Sequence, residues 1–233
     1  MGLIVFFAYT PALILLWYFY NKDRLEPEPK AYVIGTFLLG GTLSIGVALL
    51  FESLLIPRWG FWGFLFPTSA FYLALVAGVV EEPAKALSVY VLPYLRGKID
   101  GIMDGLLYGV AAGLGFAATE NFLYGLGYGL HVTMFRALLT PIAHATWAGL
   151  VGAGLGLKAE GKVDSIGSFL LTAMMLHFTW DYIAFLSMVT PVYDTILIFL
   201  LILNISILKY LLMLGETEEL NKWWYYYLRG GFR

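Results

Sequence analysis

The sequence predicts an all-α membrane protein: one polytopic bundle of about seven transmembrane helices that takes up residues 1–233 as a single domain. Three observations predict it. Of the 233 residues, 60% are hydrophobic and 13% are charged, whereas soluble domains run at about 45–50% and about 25%. The apolar residues gather into runs of about 20, the length that crosses a hydrocarbon core of about 30 Å. The connections between those runs alternate in Lys and Arg content, which is the pattern that orients a multi-pass protein in a cell membrane. Two classes of chemistry are excluded at once. A net charge of -2 offers no basic face for nucleic acid. The absence of cysteine removes disulfides, thiolate nucleophiles and cysteine-ligated metal sites.

Taken in order, the first run is 2–20. It starts at Met1-Gly2-Leu3 without a basic leader region and is as long as a full span, so it reads as a retained first helix. The second run, 31–53, is followed by Pro57-Arg58-Trp59-Gly60-Phe61-Trp62-Gly63-Phe64, an aromatic and turn-rich stretch expected to form an interfacial or re-entrant connection. The third run, 70–93, contains Glu81-Glu82-Pro83-Ala84-Lys85. In the fourth, 105–125, Gly105, Gly109 and Gly113 recur every four residues and Ala117 and Asn121 continue the stripe, a pattern that lets helix backbones approach closely. The fifth run is 133–157, the sixth 166–188 and the seventh 193–214. The tail Trp223-Trp224-Tyr225-Tyr226-Tyr227 reads as an anchor in the membrane interface. Lys22, Arg24 and Lys30, then Arg96 and Lys98, then Lys158 and Lys162, and finally Lys222, Arg229 and Arg233 all fall on one side; Arg58 and Arg136 fall on the other. The N-terminus is therefore expected outside and the C-terminus in the cytoplasm.

Ionisable residues near the centre of a span cost at least about 2.5–3.5 kcal/mol on insertion scales, so they persist where they pair or work. Four runs carry them: Glu81, Glu82 and Lys85; Glu120 with Asn121; His144; and His177 with Asp181. Glu82 lies fourteen positions before Arg96, His144 fourteen before Lys158, His177 thirteen after Asp164 and Glu120 sixteen after Asp104. At about 1.5 Å per residue each is about 20–24 Å from a headgroup charge, which places all four near the midplane. Lys85 can reach back to a carboxylate three or four positions earlier, leaving the other glutamate to face the site; the plain alternative is a Glu–Lys pair that only fixes packing. Pro83 removes a backbone donor and is expected to bend the helix. His177 and Asp181, at i and i+4, share a face on which the carboxylate can orient the imidazole. Asn121 can donate to an oxyanion, although asparagines also join spanning helices, and the same holds for an isolated His144. His131, Asp104 and Arg136 read as loop or interface residues outside the chemistry.

The ordered set resembles the PrsW family of intramembrane proteases, relatives of the CAAX prenyl endopeptidases. It comprises Lys22-Asp23-Arg24-Leu25-Glu26-Pro27-Glu28-Pro29, the EExxK element Glu81-Glu82-Pro83-Ala84-Lys85, Phe116-Ala117-Ala118-Thr119-Glu120-Asn121, then His144 and His177-Phe178-Thr179-Trp180-Asp181. The resemblance covers most of the chain. It implies a peptidase embedded in lipid that cuts a transmembrane or membrane-associated protein. It also implies Glu81, Glu82, Glu120, His144 and His177 as the catalytic set, with Lys85, Asn121 and Asp181 in support. In the wider superfamily the second element often ends in histidine where this chain has Glu120. Two mechanisms fit these residues. Without a metal, Glu81 or Glu82 deprotonates water while Asn121 and a histidine stabilise the oxyanion. With one, Glu120, His144 and His177 hold Zn²⁺ and a glutamate is the base. The doubled glutamate with its lysine is the most specific local element and favours the metal-free version; the choice of Glu81 over Glu82 rests on the resemblance alone.

Functions from other classes compete. Midplane Glu, Asp and His residues also build ion or proton relays, so a transporter or channel is the first alternative. The chain shows none of the duplicated halves common in transporters. A non-catalytic scaffold subunit is the second.

The alternation of basic connections predicts that a reporter fused after Arg233 is active in the cytoplasm only. Activity confined to the outside would overturn the orientation.

Overall fold

The computed structural model describes residues 1–57 and 66–228. The aromatic connection expected at 57–64 falls, after Pro57, outside the described residues, as do Arg229 and Arg233. The described residues form seven long helices: α1 (Gly2–Tyr20), α2 (Lys30–Leu55), α3 (Pro67–Val89), α4 (Ile102–Tyr128), α5 (Leu130–Ala159), α6 (Gly167–Ser187) and α7 (Tyr193–Leu228). Six of them, all except α3, are long and apolar enough to cross a membrane on length and composition. In α3 the Glu81–Glu82 pair lowers the apolar average, so the helix that looks least like a span is the one that carries the most chemistry. One π-helical turn interrupts α2 at Gly40–Ser44, and another, Tyr90–Tyr94, extends α3 across Pro93.

The α4–α5 hairpin is the axis of the bundle. Every residue of α4 from Met103 to Ala118 is buried, and α1, α2, α3, α5 and α7 all pack against it. The two helices are longer than the apolar runs, and one residue joins them: Gly129, at φ +93°, a conformation that side-chain-bearing residues rarely adopt. His131, expected in a loop here, is instead the second residue of α5, where it is exposed. α7 likewise runs fourteen residues beyond the apolar run that ends at 214.

Small residues set the spacing of the axis. A Cβ on Gly105 would strike the main-chain oxygen of Gly152, one on Gly109 that of Ala148, and one on Gly113 that of His144. The predicted stripe therefore presses backbone against backbone along an antiparallel seam, where dispersion is strongest because the contact is closest. Gly40, in the π-helical turn, meets the Ala112 main chain in the same way, and Gly115 meets that of Phe37. A third close approach joins α3 to α6: a Cβ on Gly78 would stand 2.7 Å from the Met174 oxygen and 3.2 Å from the Phe178 nitrogen. The outer faces stay apolar and open, with Phe6, Ile14 and Trp17 on α1, Leu171 and Met175 on α6, and Phe199 and Ile202 on α7 available to lipid tails.

Because Gly113 touches the backbone that bears His144, Gly113→Val is expected to overpack the seam and to cost at least about 1–3 kcal/mol. Gly46, which has open space around it, is expected to accept alanine with a gain of about 0.5–1 kcal/mol. Thermal unfolding of the purified variants in detergent measures both.

Candidate active site

Two of these close approaches bring the ionisable residues of four helices into one cluster. Gly78 lies one turn before Glu81 and Glu82, and its contact with Met174 and Phe178 places α3 beside His177. Gly113 and its neighbours hold α4 against His144. At the centre is Lys85, fully buried, whose Nζ lies 2.7 Å from Glu82 Oε1, 3.1 Å from Glu81 Oε2 and 2.8 Å from His144 Nδ1. Its ammonium also sits 4.1 Å above the Phe116 ring, a cation–π contact made outside water, where such contacts are strongest. Phe116, which opens the element ending at Glu120-Asn121, thus forms one wall of the site and stacks on His144 at 5.5 Å.

The neighbours fix how each imidazole is used. An ammonium can only donate. His144 Nδ1 therefore accepts from Lys85, and its Nε2–H faces Glu120 Oε2 at 3.2 Å. His177 Nδ1 donates to Glu82 Oε1 at 2.7 Å. Its Nε2 faces Asp181 Oδ2 at 3.3 Å and Glu81 Oε2 at 3.8 Å. The i, i+4 pairing of His177 with Asp181 is therefore present, and Trp147 stacks on the His177 ring at 4.3 Å and 18°, holding its plane. A serine pair, Ser44 and Ser88 at 2.8 Å, ties α2 to α3 one turn beyond Lys85, and Ser44 also donates to the Ala84 oxygen.

Three expectations need correction. Lys85 does not select one glutamate; it bonds both, because its stem is long enough to bring Nζ between carboxylates one residue apart. Arg136 is not an interface residue. It reaches back from α5 to Glu120 Oε2 at 2.8 Å and donates through Nε to Asn121 Oδ1 at 3.0 Å, with its guanidinium 3.9 Å over the Tyr124 ring. Asp104 is buried and accepts the Asp100 main-chain N–H at 2.8 Å, well away from Lys85. Asn121 is fully buried: Thr140 and Arg136 both donate to its Oδ1, and its Nδ2 has no hydrogen-bond partner among the described residues.

One member of the cluster was missed altogether. Glu52 of α2, half-buried, lies beside Glu81 and in the field of Glu120, His177 and Asp181. The signal was available, since Glu52 is an acid inside an apolar run. Glu52, Glu120, Arg136 and Asp181 all lie toward the ends of their helices that face away from Lys22, Lys98 and Lys162.

The proposed zinc donors are of suitable chemical type, N and O, but they are arranged for other partners. His144 Nε2 and Glu120 Oε2 are adjacent, whereas both His177 nitrogens face the carboxylates of Glu81, Glu82 and Asp181. Among the described residues no three His, Asp or Glu side chains converge as a metal-binding group, and the Lys85 ammonium takes the point where carboxylates and imidazole meet.

Residues 28–209 match the family model described as PrsW family intramembrane metalloprotease. Protease PrsW of Shouchella clausii (strain KSM-K16) is 32% identical over 184 residues, covering 77% of this chain and 82% of that protein. Protease PrsW of Bacillus subtilis (strain 168) is 31% identical over 188 residues, covering 78% and 83%. Protease PrsW of Clostridioides difficile (strain 630) is 32% identical over 186 residues, covering 76% of each. No solved structure matches the chain.

Removing the central cation tests the cluster. Lys85→Met leaves buried carboxylates uncompensated and is expected to cost about 3–5 kcal/mol. Adding Glu82→Gln is expected to recover part of that loss, read as a non-additive double-mutant cycle in thermal unfolding.

Proposed function

The chain belongs to the PrsW family of intramembrane proteases, and from that membership we propose that it hydrolyses a peptide bond of a transmembrane or membrane-associated protein, with Glu81 as general base. Family membership favours this over the transporter and scaffold readings. The observation that carries the choice of Glu81 is the difference between the paired glutamates. Glu82 is fully enclosed and its Oε1 is committed to Lys85 and His177, whereas the Glu81 side chain keeps 8% exposure and borders Glu52 and the His177 Nε2 edge. A base must reach a water, and the enclosed carboxylate is the one suited to hold Lys85 and His177 in place.

In this mechanism Glu81 takes a proton from water as the oxygen adds to the scissile carbonyl carbon. The resulting oxyanion accepts hydrogen bonds from Asn121 Nδ2 and a site histidine. Collapse of the tetrahedral adduct breaks the C–N bond, and the proton held on Glu81 passes to the departing amine. Lys85 supplies positive charge beside both glutamates throughout, in a medium where charge interactions are weakly screened. Asp181 orients His177, and Glu120 orients His144.

A zinc-dependent reaction is the second reading, favoured by the description of the matching family as a metalloprotease and by the adjacent donors of Glu120 and His144. His177 would have to turn from Glu82 or Asp181 to complete a ligand set of three.

One experiment separates the readings. Purified protein is reconstituted with single-span reporter substrates, and cleavage, metal content and thermal stability are measured together. Glu81→Gln keeps volume and hydrogen bonding but cannot take up a proton; it is expected to lower cleavage by at least about 10²–10⁴-fold with the melting temperature retained. Cleavage is expected to survive chelation. Stoichiometric zinc, with chelation abolishing cleavage and added Zn²⁺ restoring it, would establish the second reading. Full cleavage by both single Gln variants would defeat the peptidase mechanism itself.

A further inference from the structure

The polar motif between α1 and α2, Lys22-Asp23-Arg24-Leu25-Glu26-Pro27-Glu28-Pro29, takes no part in the cluster around Lys85. It folds against the ends of α4 and α7 instead. Asp23 is only 3% exposed, and its Oδ2 accepts the main-chain N–H of Glu28 at 2.9 Å. The Glu28 carboxylate accepts the hydroxyl of Tyr108, a fully buried residue of α4. On the α7 side, Lys22 pairs with Glu216 at 3.5 Å, and one turn later Glu219, 8% exposed, sets its carboxyl beside that of Asp23. Asp23 Oδ1 and Glu219 Oε1 are both out of water, and among the described residues neither has a hydrogen-bond partner unless the two carboxyls share a proton.

Two carboxylates in that position repel, and a hydrogen bond between them exists only when one of them carries a proton. The surrounding charge strengthens the demand. Glu26 and Glu28 face the pair from the loop and Asp104 from α4, and Asp100 of the α3–α4 connection adds its charge beside Glu28 and Asp104. Nearby cations are engaged elsewhere: Lys22 with Glu216, Lys98 beside the Tyr32 ring, Arg24 with the Asn21 main-chain oxygen, and Lys222 with Asp100 and Glu160.

We propose that Asp23 and Glu219 form a proton-binding site, and that the shared proton latches the α1–α2 loop to the end of α7. Burial holds Asp23 above the ordinary carboxylate value of 3.8. The sign follows from that direction: the latched state keeps a proton that a solvated carboxyl would release, so latching is favoured at low pH and is lost as pH rises through the raised value. Unlatching frees the loop from α7, which packs along α5, the helix that carries His144. The inference stands apart from the protease mechanism and needs no substrate to test.

The chain has no native cysteine, so Leu25→Cys, at a side chain that is 42% exposed, takes a single nitroxide label. Its electron paramagnetic resonance line shape is followed in lipid nanodiscs from pH 5 to pH 9, a range on the order of that over which shifted carboxyls titrate. The label is expected to be immobilised at low pH and to gain a mobile component in one proton-dependent transition as pH rises. Asp23→Asn and Glu219→Gln, each in the labelled background, are expected to remove that transition, because neither amide can lose the shared proton. An unchanging line shape in the parent protein, or a transition that persists in either variant, would overturn the proposal.

Discussion

A lysine ammonium fully enclosed within a bundle of mostly apolar helices is the constraint on which the rest of the structure depends. Taken out of water, a unit charge costs several kcal/mol unless paired and hydrogen-bonded. Lys85 meets that demand with partners from two helices, the carboxylates of Glu81 and Glu82 on its own helix and the imidazole of His144 on α5, above the ring of Phe116 on α4. Glu82 then draws in His177 from α6. Satisfying one buried cation therefore fixes the mutual position of α3, α4, α5 and α6, and the helices cannot slide without breaking a charge-assisted bond.

Side chains of this length reach their partners only if the backbones come close, and glycine makes that possible. Where Gly105, Gly109 and Gly113 face Gly152, Ala148 and His144, the main chains themselves are in contact. Lipid tails give helices no hydrophobic reason to associate, so the seam and the buried polar bonds have to supply the association. Scaffold and chemistry are thus one device: the last glycine of the stripe rests on the residue that supplies an imidazole to the site.

The site is also polarised along the bundle. Glu82 and Lys85 are sealed, whereas Glu52, Glu120, Arg136 and Asp181 lead from the centre toward one end, with side chains that keep some exposure. Hydrolysis inside a membrane needs water at a point that lipid excludes, and a column of partly exposed polar groups can conduct it there. At the other end, the loop after α1 is bonded to Tyr108, lies against α7 through Lys22 and Glu216, and closes the bundle.

By itself the sequence determined the class of fold, the approximate spans and the residues that belong together. A membrane imposes length and apolarity on every span, and so makes each charged intruder legible without knowledge of contacts. The glycine stripe, the His177–Asp181 pairing and the glutamate pair with its lysine could be read for the same reason, since each lies within one helix and follows from 3.6 residues per turn. Only the tertiary structure decided which groups meet across helices. Arg136 looks peripheral because it stands near a helix end, yet its long side chain reaches across the hairpin to Glu120 and Asn121 of α4. Glu52 joins Glu81 only because α2 packs beside α3. Lys85 chooses both carboxylates rather than one because His144 and Phe116 close the remaining sides of its charge. Spacing along the chain sets which face a residue occupies; what stands opposite that face depends on how the helices pack, and no periodicity within one helix encodes it.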